Sequence, residues 1–312
     1  MTGILTISIE IELGWGTHDR GEYGYFSTNA EKETETLETL LALCNTYEIP
    51  ITFDIVGHLL HETCDGTHDG PYPDRWWTED PGTNEATDPL FYAPSFARQI
   101  RHADTDHELG THTYSHVLCD EVSPETVRHE LKQARQAHEE AGLEPPRSIV
   151  FPRHQTPPYE VFSDLGIEAV RHPIQEYNVP ENPVRKFLWG ATRRHPTAEL
   201  RREHGLVETW CTPHPSLSNG FLRTGQAALH PLLRVMPLSV RQRISRRYIY
   251  SGVDRAANQD GHVHLWTHLF NMSNEEQLPP IEAGLEYMAQ RRDEGQIRIE
   301  RMCDLPEVAE GG

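Results

Sequence analysis

Lysine is scarce in this chain of 312 residues: only Lys32, Lys132 and Lys186 occur, so 25 of the 28 basic residues are arginines. Against them stand 48 acidic residues, for a formal net charge of -20. The acid is spread along the chain rather than gathered in a tail, which argues against a nucleic-acid partner. A surface of this kind repels itself unless salt screens it, and it reads as adapted to high ionic strength. The five cysteines, Cys44, Cys64, Cys119, Cys211 and Cys303, are odd in number, widely spaced and form no C-x-x-C pair, so reduced thiols are expected. No apolar run approaches the length of a bilayer span, which excludes membrane insertion by a helix. Met1 to Ser8 lacks a basic leader region and soon reaches Glu10 and Glu12. It reads as a first strand rather than a signal peptide, with the cytoplasm as the expected location. There is no internal repeat and no low-complexity tract, and nothing in the sequence sets an oligomeric state.

Hydrophobic residues make up 37% of the chain and charged residues 24%, enough apolar material for a core. One domain over residues 1–312 is expected. Ile4 to Glu12 is β-branched and alternating, a strand that opens into Gly14-Trp15-Gly16. Leu37, Leu40, Leu41 and Cys44 recur at helical spacing within about 28–47, and Ile51 to Gly57 resumes as a strand. Residues 64–94 are rich in Gly, Pro, Asp and Thr without a period and read as an inserted functional loop. Glu108 to His112 is a short strand. Ser123 caps a helix that Pro124 begins and that runs towards Gly142. Further expectations are a strand at Ser148 to Phe151, a short helix near Pro158 to Leu165, a sheet edge at Ala169 to Arg171 and a strand at Leu206 to Trp210. A basic helix over Leu222 to Arg246, a last inner strand at Val263 to His268, a helix near Pro280 to Asp293 and Ile297 to Ile299 complete the list. Residues from about Glu176 to Arg202 carry no clear pattern. Alternation of strand and helix favours an α/β parallel barrel over a sandwich.

His112 and His116 flank Thr113-Tyr114-Ser115 just after a strand, and two imidazoles four apart converge on one cation if that stretch is helical or tightly looped. Among 19 histidines the pair alone is a moderate signal. Glu10 and Glu12 share one face at the carboxyl end of the first strand, where a parallel barrel carries its active site. One carboxylate can complete a two-histidine, one-carboxylate site while the other serves as general base. His264, Trp266 and His268 alternate along the last strand, and either histidine can protonate a leaving amine. Arg153, directly after a strand, can orient the base or hold an oxyanion.

In this order the motifs resemble the polysaccharide deacetylase (NodB-homology) family. Ser8-Ile9-Glu10-Ile11-Glu12 is similar to its Asp-x-Asp motif, and Ile51 to His58 to its second strand. His112 to His116 is similar to H-[ST]-x-x-H, Phe151-Pro152-Arg153 to its arginine motif, and Leu265-Trp266-Thr267-His268 to its closing motif. The resemblance implies a distorted (β/α)7 barrel and metal-assisted removal of acetyl groups from N-acetylated sugars. It also implies a divalent metal, with zinc favoured, on Glu12, His112 and His116, Glu10 as base, Arg153 as its partner and His268 as acid. Trp15, Trp266 and His264 are then candidates for binding the sugar. Two departures stand out. Both acidic positions are Glu where the family usually has Asp, and the penultimate family motif has only Glu208-Thr209-Trp210 as a candidate. An allantoinase-like hydrolase of a small amide and a catalytically silent carbohydrate-binding protein are the competing readings.

Overall fold

A computed structural model describes residues 2–162, 165–259 and 261–310. Its nine strands are β1 (Gly3–Ile11), β2 (Thr52–Ile55), β3 (Glu108–Thr111), β4 (Ser148–Val150), β5 (Ala169–Pro173), β6 (Arg201–Glu203), β7 (Leu206–Cys211), β8 (His262–His268) and β9 (Ile297–Ile299). Seven of them close into a parallel barrel in the order β1-β2-β3-β4-β5-β7-β8 and back to β1. β6 pairs antiparallel with β7, and β9 lies parallel to the first residues of β1. This is the expected α/β barrel of the (β/α)7 kind.

The alternation in β1 decides which side faces what. Leu5, Ile7, Ile9 and Ile11 are fully buried in an apolar layer with Leu37, Leu40 and Cys44 of the helix Glu31–Tyr47 and with Leu285 and Met288 of the helix Leu278–Asp293. Each such side chain removed from water contributes about 1.5–3 kcal/mol. Thr6, Ser8 and Glu10 point the other way, into the barrel.

That interior is polar, whereas parallel α/β barrels are more often filled by branched apolar residues. His262 bridges Thr6 and Thr209, with Nε2 3.0 Å from one hydroxyl and Nδ1 3.3 Å from the other. His264 does the same one layer up, 2.9 Å from Ser8 and 2.9 Å from Thr209. Burial holds both imidazoles below their ordinary pKa, so they serve as neutral hydrogen-bonding struts. Glu10 lies in register with Asp54 of β2 on one side and His268 of β8 on the other. Gly110 of β3 is required beside them: a Cβ there would stand 2.6 Å from Ser148 Oγ and 2.8 Å from Asp54 Oδ1.

Several expectations change. Ala169 to Arg171 belongs to an inner barrel strand between β4 and β7, not to a sheet edge. The basic helix expected over Leu222 to Arg246 is two helices, Pro231–Arg234 and Leu238–Gln259, because Pro231 and Pro237 each restart the chain. The helix expected near Pro158 to Leu165 is a single 3-10 turn at Tyr159–Val161; its stretch includes residues 163 and 164, outside the described residues. Helices Pro94–Arg101 and Pro183–Thr192 had no counterpart in the sequence reading. Residues 61–93 contain neither helix nor regular strand. Among the described residues, no helix is long and apolar enough to cross a membrane.

Asp54 provides a test of the polar interior. It is fully buried, and neither carboxyl oxygen has a hydrogen-bond partner among the described residues. Burial above all, with Glu10 and Glu108 adding to it against Arg171, pushes its pKa well above the ordinary value. The folded state therefore holds a proton that the unfolded chain releases, and stability falls as pH rises above the unfolded carboxylate range. Asp54→Asn should raise Tm at pH 7 to 8, with the gain shrinking as pH falls towards 4. Thermal unfolding across that range checks the slope; a gain independent of pH would show Asp54 to be ionised.

Candidate active site

His112 follows β3, and the chain turns at once: Thr113 and His116 both adopt left-handed backbone, with φ of 64° and 65°. The stretch is a tight loop, not a helix. Such geometry costs of order 1–3 kcal/mol per residue and persists only where its surroundings enforce it. Glu130, from the helix Pro124–Glu140, is what enforces it here. Its carboxylate accepts from the backbone N–H of Tyr114 at 3.0 Å and of Ser115 at 2.8 Å, and from the Ser115 hydroxyl at 2.7 Å. His112 Nδ1–H donates to the Val150 carbonyl at 2.8 Å, which leaves the lone pair of buried Nε2 without a hydrogen-bond partner among the described residues.

That nitrogen faces the two glutamates. His112 Nε2 is 3.6 Å from both Glu10 Oε2 and Glu12 Oε1, and His116 Nε2 is 3.7 Å from Glu12 Oε2. Donor atoms of Glu12, His112 and His116 all lie within 4.8 Å of one another, as do those of Glu10, Glu12 and His268. A buried imidazole with an unused lone pair, a second imidazole and a carboxylate in this compass fit a divalent cation. Gly16 makes room for the longer acid, since a Cβ there would stand 1.8 Å from Glu12 Oε2.

Charge within the cluster is balanced by its own members. Burial raises the Glu10 carboxyl, but Arg171, His268 and His112 outweigh it and hold the group below its ordinary value. Glu12 is held well below, with burial again opposed by His268, His116 and His112. His268 Nε2 stands 3.3 Å from Glu10 Oε2 and 3.0 Å from Glu12 Oε1. Although burial works against its charge, the two carboxylates raise it to about 9, so it is an imidazolium at neutral pH.

The fold thus brings together five of the residues expected at the site: Glu10, Glu12, His112, His116 and His268. Four others are placed differently. Arg153, expected against Glu10, forms an ion pair with Asp19 at 2.7 Å. A left-handed backbone at Arg153 (φ 49°) directs the chain there. The contact with Glu10 comes from fully buried Arg171 of β5, which also donates to Ser8 Oγ at 2.6 Å and stacks 4.6 Å from the Trp266 ring. His264, expected at the substrate surface, lies inside the barrel with both ring nitrogens engaged. Trp266 is almost wholly buried and donates to the Thr212 carbonyl at 2.6 Å. Trp15 is fully buried and donates to the Phe91 carbonyl at 3.1 Å. Neither indole offers a face to solvent. Glu208, the weak candidate for a further motif, turns to Tyr159 and His172. Arg171 and Glu130 were not singled out from the sequence. The available signal was a lone charged residue on the apolar side of a regular pattern, in Ala169-Val170-Arg171 and in Val127 to Leu131.

An α/β barrel with an acid and histidine cluster at the carboxyl ends of its strands is a common frame for hydrolytic sites. The polysaccharide deacetylase family profile matches residues 17–170, close to half of the chain. No curated protein matches the chain. Similar solved structures include a protein assigned as a polysaccharide deacetylase from Mycobacterium smegmatis, 14% identical, with a TM-score of 0.63 over 99% of this chain and 91% of that one. The Puue allantoinase is 13% identical, with a TM-score of 0.59 over 99% and 90% of the two chains. A protein assigned as a polysaccharide deacetylase from Pseudomonas aeruginosa PAO1 is 11% identical, with a TM-score of 0.57 over 97% and 89%. At these identities the likeness is one of fold.

The two arginines separate cleanly by experiment. Arg171→Leu strands a buried carboxylate and should destabilise the protein by about 3–5 kcal/mol in denaturant unfolding. Arg153→Leu breaks a partly exposed pair and should cost less than about 1 kcal/mol. Equal losses would contradict the placement of the two side chains.

Proposed function

We propose that this protein is a metal-dependent deacetylase of N-acetylated sugars, with Glu12, His112 and His116 as metal ligands. The observation that carries the reading is the convergence of one carboxylate and two imidazoles, one of them with a free buried lone pair, beside a second carboxylate and a cationic histidine. Zinc is the preferred ion, because two histidines and a carboxylate are a usual donor set for catalytic zinc. When bound, such an ion supplies Lewis acidity to the acetamide carbonyl and to water.

The chain's own groups do the proton work. Glu10, kept ionised by Arg171, accepts a proton from the attacking water. Arg171 is a positioning residue: it fixes one carboxylate oxygen and leaves Oε2 towards the cluster. His268 gives its proton to the nitrogen as the C–N bond breaks, and acetate and a free amine leave. Oxygen from water ends on the acetate. Arg153 stands close enough to His116 to help lower its pKa, and paired with Asp19 as a partly exposed group it is suited to hydrogen-bond sugar hydroxyls. We read residues 1–312 as one catalytic barrel with 64–94 as its insertion. A sugar carried on a nucleotide or lipid, or a glycan under assembly, suits the expected cytoplasmic setting.

Acetate release from N-acetylglucosamine oligomers by the zinc-loaded protein is the direct test. Glu10→Gln should lower kcat by about 10²–10⁴-fold, and the double change His112→Ala, His116→Ala should abolish turnover. If the protein instead hydrolyses a cyclic ureide, or binds the oligomer without turnover and is indifferent to Glu10→Gln, the reading fails. The charge of -20 and the lysine scarcity support work at high salt. Tm should rise steadily from low to molar salt, and a flat profile would remove that part of the proposal.

A further inference from the structure

A second donor cluster, sharing no residue with the first, stands where the 61–93 loop folds back on the end of β2. It joins His58, from the turn after β2, to Cys64, His68 and Asp80 of the loop, with all four donor atoms within 4.8 Å of one another. We propose that these four residues bind a zinc ion that fastens the loop to the barrel.

The distances suit the ion. His58 Nε2 is 3.5 Å from Asp80 Oδ2, Cys64 Sγ is 3.6 Å from His68 Nε2, and Cys64 Sγ is 3.7 Å from Asp80 Oδ2. A tetrahedral zinc with bonds of about 2.0–2.3 Å sets its donors roughly 3.3–3.6 Å apart. His68 Nε2 and Asp80 Oδ2, at 2.5 Å, are the pair that must open on binding. One donor is left over: the side chain of His58 is fully buried, yet among the described residues Nε2 has no hydrogen-bond partner. A buried nitrogen aimed at three other ligand-type atoms points to something between them.

The surroundings hold the donors as supporting groups hold metal ligands elsewhere. Asp80 Oδ1 accepts from the Tyr92 hydroxyl and from Gly82 N–H at 3.1 Å, which leaves Oδ2 for the cluster. Gly66 N–H donates to Cys64 Sγ at 3.3 Å, a bond that favours thiolate. The His68 ring stacks on Trp77 at 3.8 Å between centroids. A thiolate and a carboxylate with two neutral imidazoles exactly balance a divalent charge, which permits burial. Mixed sulfur, nitrogen and oxygen donors favour zinc over the hard oxygen-seeking cations. The loop has neither helix nor regular strand, and among the described residues one isolated β-bridge, Thr63 to Asn84, pairs its two ends.

Cysteine makes the site separable from the catalytic one. Among the described residues Cys64 is the only cysteine in a donor cluster. The full chain, stripped by chelator and loaded with Co2+, should show a thiolate-to-cobalt charge-transfer band in the near ultraviolet. The band should vanish in Cys64→Ala and persist in the His112→Ala, His116→Ala double variant. Zinc-loaded wild type should hold two ions per chain by elemental analysis, and each of these variants one. Chelation should also hasten proteolysis within 61–93. Absence of the band in folded wild type, or its survival in Cys64→Ala, would overturn the second site. Loss of one ion in the double variant alone concerns the catalytic reading.

Discussion

A carboxylate and a guanidinium, both sealed inside a barrel, set the terms for the rest of the structure. Glu10 is held below its ordinary pKa although it is buried, and ionisation in that place is costly without a partner. Arg171 supplies the partner from the opposite wall, and the two in turn need hydrogen bonds for their remaining atoms. The serine, threonine and histidine layers beneath them answer that need. The barrel interior is polar because its top must hold charge, and its helix-facing side carries the apolar burial in compensation.

The loops above the barrel are positioned by the same economy of buried polar groups. Glu130 does for the His112 to His116 loop what a helix N-terminus often does for an anion, but in reverse: a carboxylate collects backbone N–H groups that the tight turn leaves pointing inward. Tyr114, at the centre of that loop, meets His61 at 2.9 Å through its hydroxyl and lies beside the His58 ring. The loop that carries the paired histidines and the loop that carries Cys64 and His68 therefore share a wall.

Much of this was legible in the residues. Strand alternation in β1 and β8, the Ser123 cap and the H-x-x-x-H spacing are local signals, and local signals determine local structure. What was not legible depended on closure of the barrel. Arg171 lies 161 residues from Glu10 in sequence, and only the register of seven strands brings them together. Arg153 looked right because it directly follows a strand, but a left-handed backbone turned it to Asp19. Trp15 and Trp266 looked like sugar platforms because aromatic residues near a site are good candidates. Their N–H groups found buried carbonyls instead, a need that the one-dimensional pattern does not display. The split of the Leu222 to Arg246 segment was written in Pro231 and Pro237 and outweighed by the periodicity around them.

Gly16 carries one more implication. The severe contacts that a side chain would make there are with the far end of Glu12, at 1.8 Å from Oε2 and 2.9 Å from Cδ, while the contact with Glu12 Cβ is a milder 3.0 Å. The extra methylene of Glu12 and the bare backbone at position 16 are two halves of one fit. A chain with aspartate at position 12 is freed from most of that restriction, so the two positions are expected to drift together through descent. Glutamate in this motif is then a lengthened arm with a matching recess, and its reach is set by the turn beneath it as much as by the strand that bears it.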